Sequence, residues 1–169
     1  MGDHLPLPGG EPAHETDVLT GLPGARSWPH LVAEHRRVNP DKSWIAALRL
    51  DGFHAYATEH GGLQADLLLV DVATAWESVL RGGDVLVRFE AADFGCVVRA
   101  VELNSAFAVV GRLRTQLPPG VTCSASIAHP LAGETVRAAT DRARDGLRES
   151  AERGGANRIA VLLPGTMAA

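Results

Sequence analysis

At 169 residues, 46% of them apolar and 21% charged, the chain has the length and ordinary usage of one globular domain with one core. A net charge of −4 argues against a nucleic-acid-binding surface, and no stretch reaches the roughly 18 apolar residues that a membrane span needs. The chain is therefore expected to be soluble and cytoplasmic, with no nucleic-acid or membrane partner. Its two cysteines, Cys96 and Cys123, lie in apolar runs where a buried free thiol is the usual outcome.

Residues 1–14 carry Pro6, Pro8, Gly9, Gly10 and Pro12 with few apolar anchors and are expected to form a flexible tail. The folded domain is expected over 15–163, with 164–169 a short C-terminal tail. After Asp17-Val18-Leu19-Thr20-Gly21-Leu22, the residues Trp28, Leu31, Val32 and His35 recur at helical spacing. The run Trp44–Leu50 ends in Asp51-Gly52-Phe53, the pattern of a central strand that delivers its C-terminal residues to a site. Leu69, Val72, Ala73, Trp76, Val79 and Leu80 then predict an amphipathic helix that stops at Arg81-Gly82-Gly83.

From Arg81 to Val98 two short runs rich in Val, Leu and Phe flank a polar break, which predicts a β-hairpin with Glu90 to Asp93 at its tip. Leu103, Ala106, Phe107, Val110 and Leu113 mark a further helix, closed by Pro118-Pro119-Gly120. Val121 to Ile127 reads as a strand, and Val136, Ala139, Ala143, Leu147 and Ala151 as the last helix. Trp28, Trp44 and Trp76 all fall on apolar faces and are expected in the core.

The Asp17-x-Leu-Thr-Gly-Leu opening, Arg81-x-x-Asp84 at a fixed distance before a hairpin, and the pentapeptide Glu90-Ala91-Ala92-Asp93-Phe94 together resemble the GGDEF (diguanylate cyclase) family. The resemblance runs from about Asp17 to Leu162. It implies an α+β fold, the palm of nucleotidyl cyclases, with a central, mostly antiparallel sheet flanked by helices. It also implies a degenerate member. The family's first metal-binding Asp on the central strand is Arg49 here, the second acid is kept as Asp51, and the Lys after Phe53 is His54. Of the guanine-recognising pair, the Asn is Ala57 while Asp66 remains, and the third residue of the signature, also a metal ligand in the family, is Ala92.

Joining two GTP molecules requires divalent cations held by hard carboxylate oxygens. With Arg49 and Ala92 at the ligand positions, metal binding should fail; no catalytic residue, metal or cofactor is expected, and the chain should not be an enzyme. The tip is expected to be a solvated acidic turn. Two alternatives stay open for it: a rearranged metal site using Asp51, Glu90 and Asp93, and metal-free nucleotide binding with Arg49 as a phosphate partner. His54, Glu59 and His60 do not make a ligand set.

Arg81 and Asp84 stand where the resemblance places a product-binding site for cyclic di-GMP. An Arg fork can hold a guanine Hoogsteen edge or a phosphate, and a carboxylate can accept from guanine N1 and N2. Counting from Phe94, Arg112 falls where the family supplies a second Arg, with Arg114 beside it. The competing reading is an exposed Arg81–Asp84 ion pair at a helix end. The reading preferred here is a cyclic di-GMP-binding effector that uses Arg81, Asp84 and Arg112, its ligand bound as an intercalated dimer that bridges two domains. Two others are kept: a pseudoenzyme that pairs with an active cyclase, a regulator or its own copy, and a GTP sensor that works through Asp66 and Arg49.

Overall fold

The computed structural model describes residues 15–162. The tails expected at 1–14 and 164–169 lie outside the described residues, as does Leu163.

A 3-10 turn (Ala25–Ser27) leads into helix α1 (Trp28–Val38), strand β1 (Ser43–Leu50), and helices α2 (Phe53–His60) and α3 (Gly62–Val79). Strands β2 (Val85–Glu90) and β3 (Asp93–Arg99) follow, then α4 (Leu103–Thr115), β4 (Cys123–Ala128), α5 (Val136–Gly154) and β5 (Ile159–Leu162). The sheet order is β2-β3-β1-β4-β5, antiparallel throughout except for the β4–β5 pair. This is the α+β palm that the resemblance implies, with β1 at its centre.

Because side chains alternate along a strand, β1 feeds two cores. Trp44, Ala46, Leu48 and Leu50 join the cluster built from α3 and α4, while Ile45 and Ala47 join the one built from α1 and α5. Helices therefore cover both faces, which is why Trp44–Leu50 reads as an almost unbroken apolar run. The three tryptophans are buried and each indole N–H finds an acceptor: Trp28 donates to Thr140 Oγ1 (2.8 Å), Trp44 to the Ala100 carbonyl (3.1 Å) and Trp76 to the Leu113 carbonyl (2.7 Å). Trp76 also meets Phe94 edge-on with ring centroids 5.0 Å apart, which anchors the hairpin to α3. Cys96 and Cys123 are buried and free, and burial pushes the Cys123 thiol up to about 12.

The hairpin is tighter than its sequence suggests. β2 and β3 run on to Glu90 and Asp93, which pair across the ladder and leave only Ala91 and Ala92 as the turn. Gly95 of β3 is the close-approach residue of this ribbon: a Cβ there would lie 2.4 Å from Phe89 Cζ and 3.0 Å from Trp28 Cη2. Gly95→Ala is therefore expected to destabilise the domain by about 1–3 kcal/mol through overpacking. Urea unfolding would measure it, and an unchanged midpoint would show that the two rings yield freely.

Candidate functional site

Alternation along β1 turns Arg49 toward the α1/α5 side of the sheet, opposite Asp93 in the β1–β3 register. Its guanidinium grips that carboxylate in bidentate fashion, Nε to Oδ1 at 2.7 Å and Nη2 to Oδ2 at 2.8 Å. From α5, on the same side, Arg144 reaches Glu90 Oε1 at 3.3 Å and Asp93 Oδ2 at 4.0 Å, and its guanidinium carbon lies 5.3 Å from the Phe89 ring centroid. The acidic tip is the exposed turn expected from sequence, with Glu90 73% exposed, and its two carboxylates in addition pair with two arginines. The pairing was not expected because Arg144 is brought in by tertiary packing, with no motif to announce it. Ala92 points the other way and is buried in the α3/α4 core.

Asp51, just past β1, is a latch. Its Oδ2 accepts from Thr122 Oγ1 and from the Asn157 backbone N–H, both at 2.8 Å, and its Oδ1 accepts from Ser124 Oγ at 2.7 Å. The carboxylate thereby ties the end of β1 to β4 and to the turn before β5. A hollow of about 280 Å³ lies alongside, lined by Asp51, Gly52, Phe53, Tyr56 and Glu59 among others; neither Arg49 nor Asp66 lines it, and Asp66 is exposed on α3. Asp51, Glu90 and Asp93 are likewise not gathered into one ligand set. Among the described residues no group of three or more His, Cys, Asp or Glu side chains could hold a metal ion.

The loop after α3 is built around Asp84. Its Oδ2 accepts from the Arg81 N–H (3.1 Å) and its Oδ1 from the Arg99 N–H at the end of β3 (2.9 Å), while the Asp84 N–H donates to the Arg81 carbonyl (2.9 Å). The turn passes through Gly83 at φ +103°, a backbone conformation that glycine adopts without penalty. The exposed Arg81–Asp84 ion pair of the competing reading is not what forms; the carboxylate serves the backbone, and the Arg81 side chain is left to line a cleft of about 430 Å³ together with Asn39, Lys42, Arg99, Val101 and Ser105. Arg112 is held next door, its Nη2 3.5 Å from the Val79 carbonyl at the end of α3. Arg114 turns away toward the Cys123 and Asn157 carbonyls. Lys42 and Arg99 escaped sequence reading because each belongs to a strand end that only the sheet brings beside Arg81.

His35 lies beneath this loop, buried, with Nδ1 2.6 Å from Ser43 Oγ and Nε2 without a hydrogen-bond partner. Burial pushes its pKa below the ordinary 6.5, against the opposing pull of the Gly83 backbone and the Asp84 charge.

The diguanylate cyclase GGDEF domain family matches residues 14–157, nearly the whole of the described chain. The chain belongs to the GGDEF domain family. Solved structures agree in fold. The diguanylate cyclase SiaD of Pseudomonas aeruginosa, crystallised with its activator SiaC, superposes with a TM-score of 0.78 at 28% identity over 87% of this chain. This chain spans 61% of the SiaD chain. The GGDEF domain of DgcB from Caulobacter crescentus, in complex with c-di-GMP, gives a TM-score of 0.78 at 20% identity, covering 90% of this chain and 98% of that one. A sensory box/GGDEF family protein from Caulobacter crescentus gives 0.72 at 27% identity, covering 83% and 99%. No curated protein sequence matches the chain.

Two measurements probe this GGDEF domain's tip and loop. Ala91 sits in the hairpin turn at φ +43°, the left-handed region that costs an L-residue of this kind about 1 kcal/mol. Ala91→Gly should accordingly raise the thermal midpoint, and a lowered midpoint would refute the strain. For His35 the sign follows from a depressed folded value. Below about 6.5 the unfolded imidazole takes up a proton that the folded one refuses, so stability is full above that pH and falls as the pH drops beneath it. An NMR titration should place the His35 midpoint below 6.5, and a midpoint at or above it would contradict the burial argument.

Proposed function

We propose that this GGDEF domain is inactive as a diguanylate cyclase and acts in the cytoplasm as a cyclic di-GMP-binding effector, with Arg81 facing the ligand, Asp84 fixing the loop and Arg112 flanking it. The observation that carries the reading is the Arg81 cleft: a guanidinium presented without a carboxylate partner, on a loop that a dedicated acid holds in place. An Arg fork of this kind suits phosphate and guanine edges alike. DgcB, solved with c-di-GMP, supports the ligand class. A ligand bound as an intercalated dimer would bridge two copies of the chain.

What supports inactivity is the donor set at the tip. A divalent cation needs free carboxylate oxygens. Arg49 and Ala92 occupy the positions where the family places its ligands; Arg49 is bonded to Asp93, Glu90 and Asp93 are paired with arginines, and Asp51 is spent on Thr122, Ser124 and Asn157. These residues do not fit a metal ion. The GTP-sensor reading loses its site as well, since Asp66 and Arg49 do not share the hollow beside Asp51. A protein-interaction role remains the second reading. It is favoured by the exposure of Leu63 (73%) and Leu67 (49%), one turn apart on α3, and by the SiaD complex with its activator.

Isothermal titration calorimetry with cyclic di-GMP, and in parallel with GTP and magnesium, tests the proposal. Cyclic di-GMP should bind with a Kd of about 1 μM or tighter, near −8 kcal/mol. Arg81→Ala should weaken it tenfold or more, as expected from loss of one charged hydrogen bond worth about 1.5–3 kcal/mol. GTP should yield no cyclic di-GMP. Silence with cyclic di-GMP would overturn the effector reading, and turnover of GTP would overturn the inactivity.

A further inference from the structure

We infer that Lys42 and Arg99 complete a phosphate-gripping site with Arg81, a three-cation cleft for a ligand that carries two phosphates; this rests on and deepens the effector reading above. The first ground is a census of charge. All the lysines and arginines of the chain lie among the described residues, and nearly all have their side chains engaged by carboxylates or carbonyls. Arg26, Arg37, Arg49, Arg88, Arg137, Arg142, Arg144, Arg148 and Arg153 are in ion pairs. Arg36, Arg112 and Arg114 donate to backbone carbonyls. Among the described residues, only Lys42, Arg81, Arg99 and Arg158 have side chains in no hydrogen bond or ion pair, and the first three line one cleft.

The second ground is the absence of any compensating acid. No carboxylate lines the cleft among the described residues. Asp84 is the acid of this loop, and its two oxygens are committed to the backbone N–H groups of Arg81 and Arg99. That clamp draws the start of the loop and the end of β3 together, and so sets the two arginines on one rim. Three like charges held together repel one another, and in a chain of net charge −4 that could have supplied partners their isolation favours an external anion.

The third ground is fit. The cleft, about 430 Å³, is within the ordinary range for small-ligand pockets, roughly 300–1,000 Å³. Arg81 and Arg99 offer planar forks suited to phosphate oxygens, Lys42 a mobile point charge, and the Ser105 hydroxyl a neutral donor. Val101, 76% exposed at the rim, gives a nucleobase an apolar face to lie against. The chemistry is that of a dinucleotide with two phosphodiesters.

The experiment titrates the full chain, its Lys42→Ala and Arg99→Ala variants, and Arg158→Ala as an equally unpaired cation outside the cleft. Each is titrated with cyclic di-GMP and with inorganic pyrophosphate, which has charge but no base, at low and high salt. Truncating the Arg99 side chain leaves its backbone N–H, and hence the Asp84 clamp, in place. Lys42→Ala and Arg99→Ala should each weaken cyclic di-GMP tenfold or more and flatten the salt dependence, with Arg158→Ala matching wild type. Wild-type affinity for cyclic di-GMP in both cleft variants would overturn this inference and leave the effector reading standing. Pyrophosphate binding that the cleft variants lose, with no binding of cyclic di-GMP, would uphold the anion site and overturn the effector reading. No binding of either ligand by the wild-type chain would overturn both.

Discussion

Strand β1 is hydrogen-bonded on both edges, by β3 and by β4, and covered on both faces, by α3 and α4 on one side and α1 and α5 on the other. A strand so enclosed can carry polar groups only near its end. All of the chemistry at that end follows from the two-residue period. Leu50 goes into the α3/α4 core, Arg49 goes to the α1/α5 face, and Asp51 emerges past the last rung. The polar residues that β1 brings to the centre of this palm are a guanidinium and a carboxylate, each bonded within the fold.

The tip is a closed set of charges. An arginine at the end of β1 would be costly beside other cations, but Asp93 faces it in register and Arg144 and Glu90 extend the pairing, so the local charge closes on itself. Asp51 is turned to an inward task through three hydrogen bonds that join β1, β4 and the start of β5. Arg49, Asp51, Glu90 and Asp93 thus all serve as ties within the fold.

The Arg81 cleft is the opposite case. Its loop is held by a carboxylate that contributes no charge pairing to the side chains around it, and three cations are left facing solvent. The other arginines are almost all engaged, so the neutralised centre and the unneutralised cleft stand in contrast, and the proposed ligand site rests on that contrast. His35, buried on α1, is tied through Nδ1 to Ser43 at the start of β1.

Much of this was legible in the sequence. Periodicity located α1, α3, α4, α5 and the central strand, because burial on one face of a helix or both faces of a strand leaves a direct imprint on residue order, whereas α2 and β5 were not marked by it. The Asp17 motif, the Arg81–Asp84 spacing and the pentapeptide at 90–94 pointed to the family, since each depends on contiguous residues. Which charges meet was not legible. Arg144 at the tip, Lys42 and Arg99 beside Arg81, and Asp51 beneath Asn157 come from distant segments that only sheet register and helix packing bring together. The sequence by itself determined most of the elements and the residue types at the motif positions, because those are local. Only the tertiary structure decided which of these charges are spent and which stay free, because pairing requires atoms within a few ångströms of each other whatever their separation along the chain.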